Sequence, residues 1–366
     1  MIVPSVYADE VDELRRSVRA CLARVSTGPG AEWDAARSCE VWSRLSADIG
    51  VSALAVGERL GGFDSDATTL FATAEEVGAV LCPVPLLSTV FVASHVLTSL
   101  DRADATESLL RRIADGARVV VAAPADATDW TANSISIEVR EENRGRVVDG
   151  CVPYVLDGAS ADVFLVPVRT GTSLALMAVE PGDNTSIEPL HTLDLSRSVA
   201  RVTFRHSPAE LVASGGGVAA ALARGHAAGV AGLLAEQVGA ATAITQMAVD
   251  YARTRHQFGR PIGSFQAVKH KLVDMAVSVE RMSTALDVLV DDWPAPDAVS
   301  VSFAKTVADD AFFQITADAI QVHGGLGFTW EHAAHRYFRR AKADQFLFGA
   351  PAEHRRRLAA GLLGNL

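Results

Sequence analysis

The chain has few cysteines and no excess of positive charge. Its four cysteines, Cys21, Cys39, Cys82 and Cys151, are widely spaced and form no Cys-x-x-Cys pair. This spacing excludes the common zinc sites and predicts reduced thiols in a cytoplasmic protein. The formal net charge is −11. Because a nucleic-acid-binding surface normally carries a clustered basic excess, the charge argues against a nucleic-acid partner.

Long hydrophobic runs and several familiar catalytic motifs are also missing. The first residues show no signal-peptide pattern. The longest uncharged run, residues 77–100, is interrupted by Pro83 and Pro85, which predicts a buried core helix and no membrane span. The sequence has no Gly-x-Ser-x-Gly elbow, no Walker loop and no strand-helix Gly-x-Gly-x-x-Gly turn, so three large enzyme classes are excluded. His332 and His335 share a predicted helical face, but no His-Glu-x-x-His pattern accompanies them, and we expect no metal.

The pattern of apolar and β-branched residues changes along the chain. Residues 8–116 repeat apolar positions every three or four residues, whereas residues 117–212 contain short β-branched runs separated by turn residues. Helical spacing returns in four segments, 214–254, 264–289, 298–321 and 330–346. The predicted fold class is therefore α+β, with an N-terminal α-helical domain (1–116), a middle β-barrel or β-sandwich domain (117–212) and a C-terminal four-helix bundle (213–366).

Several arginines lie where the first long C-terminal helix must end. Gly259 and Pro261 cannot continue that helix comfortably, so Arg255 is expected at its terminus, and Ser264 is placed to cap the next helix. A guanidinium on such a corner can hold a pyrophosphate through paired charge-assisted hydrogen bonds, with the ring of Phe258 as an apolar face beside it. Taken alone, an arginine-rich corner is more often a solvated helix end with acids nearby.

Three segments with a characteristic spacing give this corner a more specific meaning. They are Arg-Thr-Arg-His-Gln-Phe-Gly-Arg-Pro-Ile at 253–262, Gln-Val-His-Gly-Gly-Leu-Gly-Phe at 321–328 and Phe-Arg-Arg-Ala-Lys at 338–342. In this order they resemble the flavin-contacting C-terminal domain of acyl-CoA dehydrogenases, and the resemblance extends over essentially the whole chain. It implies the three-domain fold of that family, and FAD as the cofactor.

The resemblance assigns one set of residues to the FAD of a neighbouring subunit. In the family, the equivalents of Arg255, Gln257 and Phe258 contact that cofactor. A second group of residues suits the same ligand. Glycines let the backbone approach a phosphate, and a side-chain amide can bond ribose or phosphate oxygens. The second group consists of Gln321, Gly324 and Gly325. Together these six residues are the candidate cofactor-binding set.

The usual catalytic glutamate of the family is absent. Acyl-CoA dehydrogenation removes the α-proton of the thioester as hydride leaves the β-carbon for flavin N5, so a carboxylate must lie within hydrogen-bond reach of the α-carbon. The resemblance places that carboxylate at Phe348 or, in some members, on the long helix at about Gly229. Neither residue can act as a base, so no catalytic residue is assigned.

The part of the chain that would face its own flavin ring also departs from the family. A segment resembling Thr-Glu-Pro-Gly-Ala-Gly-Ser-Asp is Ala-Ala-Pro-Ala-Asp-Ala-Thr-Asp at 122–129, without the glycines. A Trp-Ile-Thr-like segment is Tyr-Val-Leu at 154–156, where the aliphatic Leu156 replaces a hydroxyl. The residues for a neighbour's FAD are thus kept, and those for this chain's own flavin are altered.

This pattern leads to the hypothesis that the chain is the base-lacking subunit of a heteromeric acyl-CoA dehydrogenase and completes the FAD site of a catalytic sister subunit. Heteromers of this kind act on steroid side-chain thioesters in actinobacteria. The expected partners are an acyl-CoA thioester and a sister subunit, or a second copy of the chain, in a dimer or tetramer.

Three other interpretations stay open. The chain could be an active homomer with an unusual base, for which Asp344 and Glu353 are the acids nearest to Phe348 in sequence, although Asp344 is expected to point at solvent or at the arginines beside it. Relatives of the fold act as flavin-dependent monooxygenases or oxidases, which need no α-proton base but do need a well-held flavin ring. Finally, the chain could be a scaffold that has lost flavin.

Overall fold

Helices begin and end the described part of the chain, and a mixed sheet lies between them in sequence. The computed structural model describes residues 8–25, 33–142, 145–171 and 173–363. The N-terminal helices are α1 (Ala8–Val25), α2 (Ala35–Arg44), α3 (Ala67–Ala79), α4 (Ser94–Thr98) and α5 (Asp104–Ala114). The strands of the middle region are β1 (Val119–Val121), β2 (Glu138–Glu142), β3 (Gly145–Leu156), β4 (Val163–Thr170), β5 (Ser173–Val179), β6 (Thr185–Pro189) and β7 (Val199–Ser214). The C-terminal elements are α6 (Gly216–Thr254), the short strands β8 (His256–Gln257) and β9 (Arg260–Pro261), α7 (Gln266–Asp291), α8 (Ala298–His323), α9 (Ala334–Asp344) and α10 (Pro351–Leu363).

Aspartate side chains start three of the helices. The carboxylate of Asp34 accepts the backbone N–H of Arg37 at 2.8 Å at the start of α2, and Asp66 accepts that of Thr69 at 2.8 Å at the start of α3. Asp297 does the same at the start of α8. Each cap satisfies backbone donors that have no partner within their own helix, a contribution of about 1 kcal/mol.

The uncharged run predicted as a core helix is helical and buried after Pro85. A wide π-type stretch, Leu86–Ala93, leads directly into α4 and is buried along its whole length. Of the residues described, one helix, α6, is long and apolar enough to cross a membrane, and most of it is buried within the protein. Both segments therefore contribute to the helical core.

The sheet has seven strands in the order β1-β4-β5-β7-β3-β2, with β6 also pairing to β7. The β1–β4 pair is parallel and the other pairs are antiparallel. One face packs its side chains into a separate apolar cluster around Phe164 and Phe204, whose rings meet edge to face at 5.8 Å. The β-branched runs in the sequence supply these strands, because branched side chains pack well on a pleated surface.

Helix α6 is 39 residues long, about 60 Å at 1.5 Å per residue, and glycines allow other helices to approach its backbone. A Cβ on Gly239 would lie 1.9 Å from the carbonyl oxygen of Glu75 in α3, and a Cβ on Gly78 would lie 2.1 Å from that of Glu236 in α6. Helices α3 and α6 therefore cross in backbone contact, which fixes the N-terminal helices against the C-terminal ones.

The fold class predicted from sequence is confirmed, with corrections at the level of elements. The predicted helix 330–346 is shorter, since α9 begins at Ala334 and α10 follows separately. His332 therefore precedes α9, and its Nδ1 accepts the backbone N–H of Ala334 at 3.1 Å. Ser264 does not cap α7. That helix begins one residue further on, with Phe265 at the N-cap and no side-chain cap.

Candidate functional site

The corner between α6 and α7 presents an unpaired guanidinium. Helix α6 ends at Thr254 with Arg255 as its C-cap residue, because Gly259 has a φ of +75° and the chain turns back through the β8–β9 hairpin. Arg253 lies 3.5 Å from Asp250, and Arg260 packs over the ring of Phe265 at 4.1 Å. Within the described ranges no side chain pairs with Arg255, so its guanidinium is available for an anion.

The other candidate cofactor residues also lie on the surface. Gln257 and Gln321 are exposed, and Phe258 is 91% exposed. Phe258 has a φ of +53°, an uncommon conformation for a side chain of its size. A large ring held in water by the turn of the backbone favours an apolar partner that is not part of this chain.

The turn after α8 leaves its backbone accessible. Gly324 is the C-cap of α8 with a φ of +61°, which favours glycine. A Cβ built on Gly324 or Gly325 would meet nothing within 4 Å. A phosphate or ribose could therefore approach these two backbone positions directly.

A stack of aromatic rings brings the ends of α6 and α8 together. Tyr251 lies one turn before Arg255, and its ring centroid is 4.7 Å from that of His323, the residue before Gly324. His323 in turn lies 4.3 Å from the ring of His332. The stack thus places Arg255 and the turn with Gly324 and Gly325 on neighbouring helix ends, as a shared ligand requires.

The two positions where the family could carry a base meet at one place. A Cβ on Gly229 of α6 would lie 2.7 Å from Cζ of Phe348. Phe348 is 1% exposed and has a φ of +58°. Its phenyl ring lies over Gly229, so no side chain can be added at Gly229 without displacing the ring or its neighbour Val92.

Two other rings close around Phe348. Its ring meets His226 at 5.4 Å and 81°, and Trp130 at 6.3 Å, while Trp130 and His226 meet edge to face at 5.1 Å. Burial lowers the pKa of His226 to about 4, so this imidazole is neutral at physiological pH. The three residues form an aromatic cluster without a carboxylate among its members, and each ring pair contributes about 0.5–1.5 kcal/mol beyond burial.

Hydrogen bonds fix the turn that carries Phe348. Its N–H donates to the carbonyl of Ala125 at 2.7 Å, and its own carbonyl accepts from Nε2 of the buried His354 at 2.9 Å. Nδ1 of His354 then accepts from the hydroxyl of Ser302 at 3.1 Å. Gly349 follows with a φ of +102°, and a Cβ there would collide with Thr128.

The segment that would face this chain's own flavin is bound by the chain itself. Along residues 122–129, carbonyl oxygens accept from Nε1 of Trp130, from the N–H of Phe348, from Nε2 of His226 and from the guanidinium of Arg357, at distances of 2.7–3.2 Å. These backbone groups are therefore committed within the protein. Leu156 is 6% exposed and belongs to the apolar core, whereas Tyr154 on the same strand is 45% exposed.

The acids considered as replacement bases are engaged elsewhere. The expectation that Asp344 points at solvent was wrong, and of the arginines beside it in sequence Arg340 acts on it through its charge. It is 1% exposed and pairs at 3.1 Å with Arg197 from the β6–β7 connection, because the chain folds that connection onto the end of α9. Burial raises the pKa of Asp344 to about 6, and the charge of Arg197 opposes the shift. Glu353 accepts a hydrogen bond from Thr128.

A buried ionic network joins the β6–β7 connection to the helices. Arg197 also lies 2.8 Å from Glu236 of α6, and Arg340 of α9 pairs with Asp194 and donates to the carbonyl of Ser196 at 2.7 Å. Sequence reasoning missed this network, since its members are far apart in the chain. It holds α9, and hence the turn with Phe348, against the sheet region.

A further buried carboxylate lies near this network. Asp157 follows β3 with a φ of +54°, and its Oδ2 accepts the hydroxyl of Ser88 at 2.7 Å. Burial raises its pKa to about 7, while the hydrogen bond from Ser88 opposes the shift.

These features define the class of the protein, and comparison with known proteins agrees. The family model of the acyl-CoA dehydrogenase N-terminal domain matches residues 8–117, and that of the C-terminal domain matches residues 215–363. The chain belongs to the acyl-CoA dehydrogenase family, whose cofactor is FAD.

Three relatives show the similarity in more detail. The acyl-CoA dehydrogenase IpdE2 of Mycolicibacterium smegmatis is 31% identical over 96% of this chain and 98% of its own length. The ChsE4-ChsE5 complex from Mycobacterium tuberculosis contains a chain with 26% identity and a TM-score of 0.79, covering 96% of this chain and 97% of that one. A variant of the Tcur3481-Tcur3483 steroid ACAD has 24% identity and a TM-score of 0.82, covering 98% of this chain and 99% of that one.

The two sides of the chain differ in how well they fit FAD. The outer side fits, because Arg255 is unpaired among the described residues and the backbone at Gly324 and Gly325 is open. On the inner side, formed by residues 122–129, Gly229 and Phe348, four carbonyls are already hydrogen-bonded within the chain and the ring of Phe348 fills the space over Gly229, so these groups are not free for a ligand.

Proposed function

We propose that this chain is the base-lacking subunit of a heteromeric acyl-CoA dehydrogenase and completes the FAD site of a catalytic sister subunit. The observation that carries the proposal is the contact between Phe348 and Gly229. Either position could hold the base of an active member. In this chain Phe348 has no carboxylate, and its ring fills the space that a side chain at Gly229 would need.

A single substitution does not explain this arrangement. Loss of the glutamate alone would leave a cavity, whereas here the space is filled by the buried rings of Trp130, His226 and Phe348, which contact one another. The inner side therefore supports a structural role for these residues.

The outer side supports a binding role. Arg255 can hold a pyrophosphate through two parallel hydrogen bonds, Gln257 and Gln321 can bond ribose or phosphate oxygens, and the exposed ring of Phe258 offers an apolar face. FAD, when bound, supplies the acceptor for the hydride that leaves the thioester. This chain's residues orient the cofactor and exclude water from it, and the sister subunit supplies the base.

The relatives support the assignment of partner and substrate class. Two of the similar structures are complexes of two different chains, ChsE4-ChsE5 and Tcur3481-Tcur3483, and the second is a steroid ACAD. We accordingly propose a sister acyl-CoA dehydrogenase as the partner, and a steroid-derived acyl-CoA thioester as the substrate that it desaturates.

The proposal is tested by removing the unpaired guanidinium. Arg255→Ala in the assembled complex should weaken FAD binding about 10- to 100-fold, since a paired charge-assisted contact contributes about 1.5–3 kcal/mol. Arg253→Ala is the matched control, because Arg253 lies on the same corner but already pairs with Asp250. Retained flavin, measured by visible absorbance after gel filtration, should fall for the first variant only.

Equal flavin content in the Arg255→Ala complex, the Arg253→Ala complex and the unmodified complex would contradict the proposal. If the two variants lost flavin equally, the effect would be general to the charge of the corner, and the specific role of Arg255 would be lost.

A further inference from the structure

His323 lies at the junction of three segments around the outer side. It is the last residue of α8 and directly precedes the turn Gly324–Phe328. Its ring is 3% exposed and packs between Tyr251 of α6 and His332, which leads into α9.

The hydrogen bonding of His323 defines its protonation. Nδ1 lies 2.7 Å from the carbonyl oxygen of Ala319 and donates to it. Nε2 is buried and has no hydrogen-bond partner among the described residues. A neutral ring with its hydrogen on Nδ1 suits this site, whereas a second N–H at Nε2 would be a buried donor without an acceptor, which costs about 1–3 kcal/mol.

We propose that neutral His323 is a positioning residue for the FAD half-site, meaning the part of the sister subunit's FAD site that Arg255, Gln257, Phe258, Gln321, Gly324 and Gly325 would supply. His323 fixes the turn Gly324–Phe328 against the end of α6. This inference rests on the proposed function. Because it is buried, His323 is expected to act without touching the cofactor. It acts through Gly324 and Gly325, whose open backbone is the part of the turn that a ligand reaches.

The groups around His323 make the positioning of the turn Gly324–Phe328 sensitive to low pH. The titratable side chains stacked with it are Tyr251 and His332, and His335 lies near His332. Burial lowers the pKa of His323, and the hydrogen bond to the Ala319 carbonyl opposes this shift. Burial also lowers the pKa of His332, and the nearby His323 and His335 lower it further. Protonation of His323 therefore needs a pH below the usual imidazole range of about 6.5, and it adds charge beside a second histidine.

The test measures FAD binding to the complex as a function of pH for three forms of this chain. His323→Asn keeps a donor for the Ala319 carbonyl but cannot titrate, and His323→Leu removes the donor. At about pH 7.5 we expect the Asn variant to bind FAD within about threefold of the unmodified complex, and the Leu variant to bind about tenfold more weakly. Between about pH 7.5 and pH 5 the unmodified complex should lose affinity and the Asn variant should lose less.

His191→Asn is the matched control, because His191 is exposed in the β6–β7 connection and should leave the pH profile unchanged. Gel filtration of each complex shows whether assembly is intact, and the comparison of the Asn variant with the unmodified protein holds even where the Leu variant does not assemble.

Identical pH profiles for the unmodified and Asn complexes would overturn the inference. Its failure is distinguishable from that of the proposed function. If Arg255→Ala lowers flavin content and the His323 variants do not alter the pH profile, only the role of His323 is wrong. If Arg255→Ala has no effect, the half-site itself is wrong.

Discussion

Replacing Gly229 with alanine tests whether Phe348 occupies the space over this position of α6. The new methyl carbon would lie 2.7 Å from Cζ of Phe348 and 2.8 Å from Cγ2 of Val92, both well inside van der Waals contact. Overpacking costs about 1–3 kcal/mol, and replacing a helical glycine by alanine returns about 1 kcal/mol. We expect Gly229→Ala to lower the free energy of unfolding by up to about 2 kcal/mol.

The same substitution should be better tolerated once the ring is removed. Phe348→Ala alone should cost about 3–5 kcal/mol, because it empties a fully buried site. In that background two of the three closest contacts of the new methyl group are removed and the contact with Val92 remains, so its cost should fall by at least about 1 kcal/mol. The assay is urea unfolding of the full-length single and double variants, with the difference between the two costs taken as the coupling energy.

Gly232→Ala provides the matched control on the same helix. Its methyl group would lie 2.6 Å from the ring of Phe91, so its cost should be independent of Phe348 to within about 0.5 kcal/mol. If Gly229→Ala cost the same with and without Phe348, the packing of the ring over Gly229 would be refuted, and so would the argument that both base positions are closed.

Two further predictions follow from the inner side of the chain. Phe348→Glu should not enable the isolated chain to reduce an electron acceptor with an acyl-CoA, and it should add no activity to the complex. The new carboxylate would lie between Trp130 and His226 and not beside a flavin. Turnover by the isolated variant would contradict this prediction. Asp157→Asn should stabilise the protein above about pH 7 and have little effect below about pH 4. Burial raises the pKa of Asp157 from 3.8 to about 7. Its contribution to stability is therefore fully present below the unfolded pKa and is lost as pH rises through the folded pKa. The free energy of unfolding falls by about 4 kcal/mol over this window. Urea unfolding at both pH values checks it, and a variant that is no more stable than the unmodified chain at about pH 8 would show that Asp157 does not carry this cost.

Local sequence signals were sufficient for the corner at the end of α6. Gly259 and Pro261 end a helix by their own backbone preferences, so the placement of Arg255 at a terminus needed no knowledge of the rest of the fold. The alternation of helical and β-branched texture likewise indicated the fold class. The domain limits and the cofactor-binding residues stay predictions.

Tertiary contacts decided what sequence could not show. The resemblance made Phe348 and Gly229 alternative positions for one base, but the contact of the phenyl ring with the glycine depends on the crossing of α6 with the turn after α9. One local signal was available for His226, which lies three residues before Gly229 and hence on the same face of α6.

The same reason explains the error at Asp344. Its neighbours in sequence are basic, which favoured a local pair, but its partner is Arg197 from the β6–β7 connection. A buried ion pair between distant segments has no local sequence signature, because both its burial and its partner depend on how the domains pack.

Flavin stoichiometry tests the central claim most directly. This chain is purified alone and together with a sister acyl-CoA dehydrogenase, and the visible flavin spectrum per chain and the mass of the assembly are measured. We predict no retained flavin on the chain alone and about one flavin per two chains in the mixed assembly, because the outer side leaves groups free for a ligand and the inner side does not. A homomer that retains one flavin per chain would contradict the account, since it would require the occupied inner side to bind the cofactor.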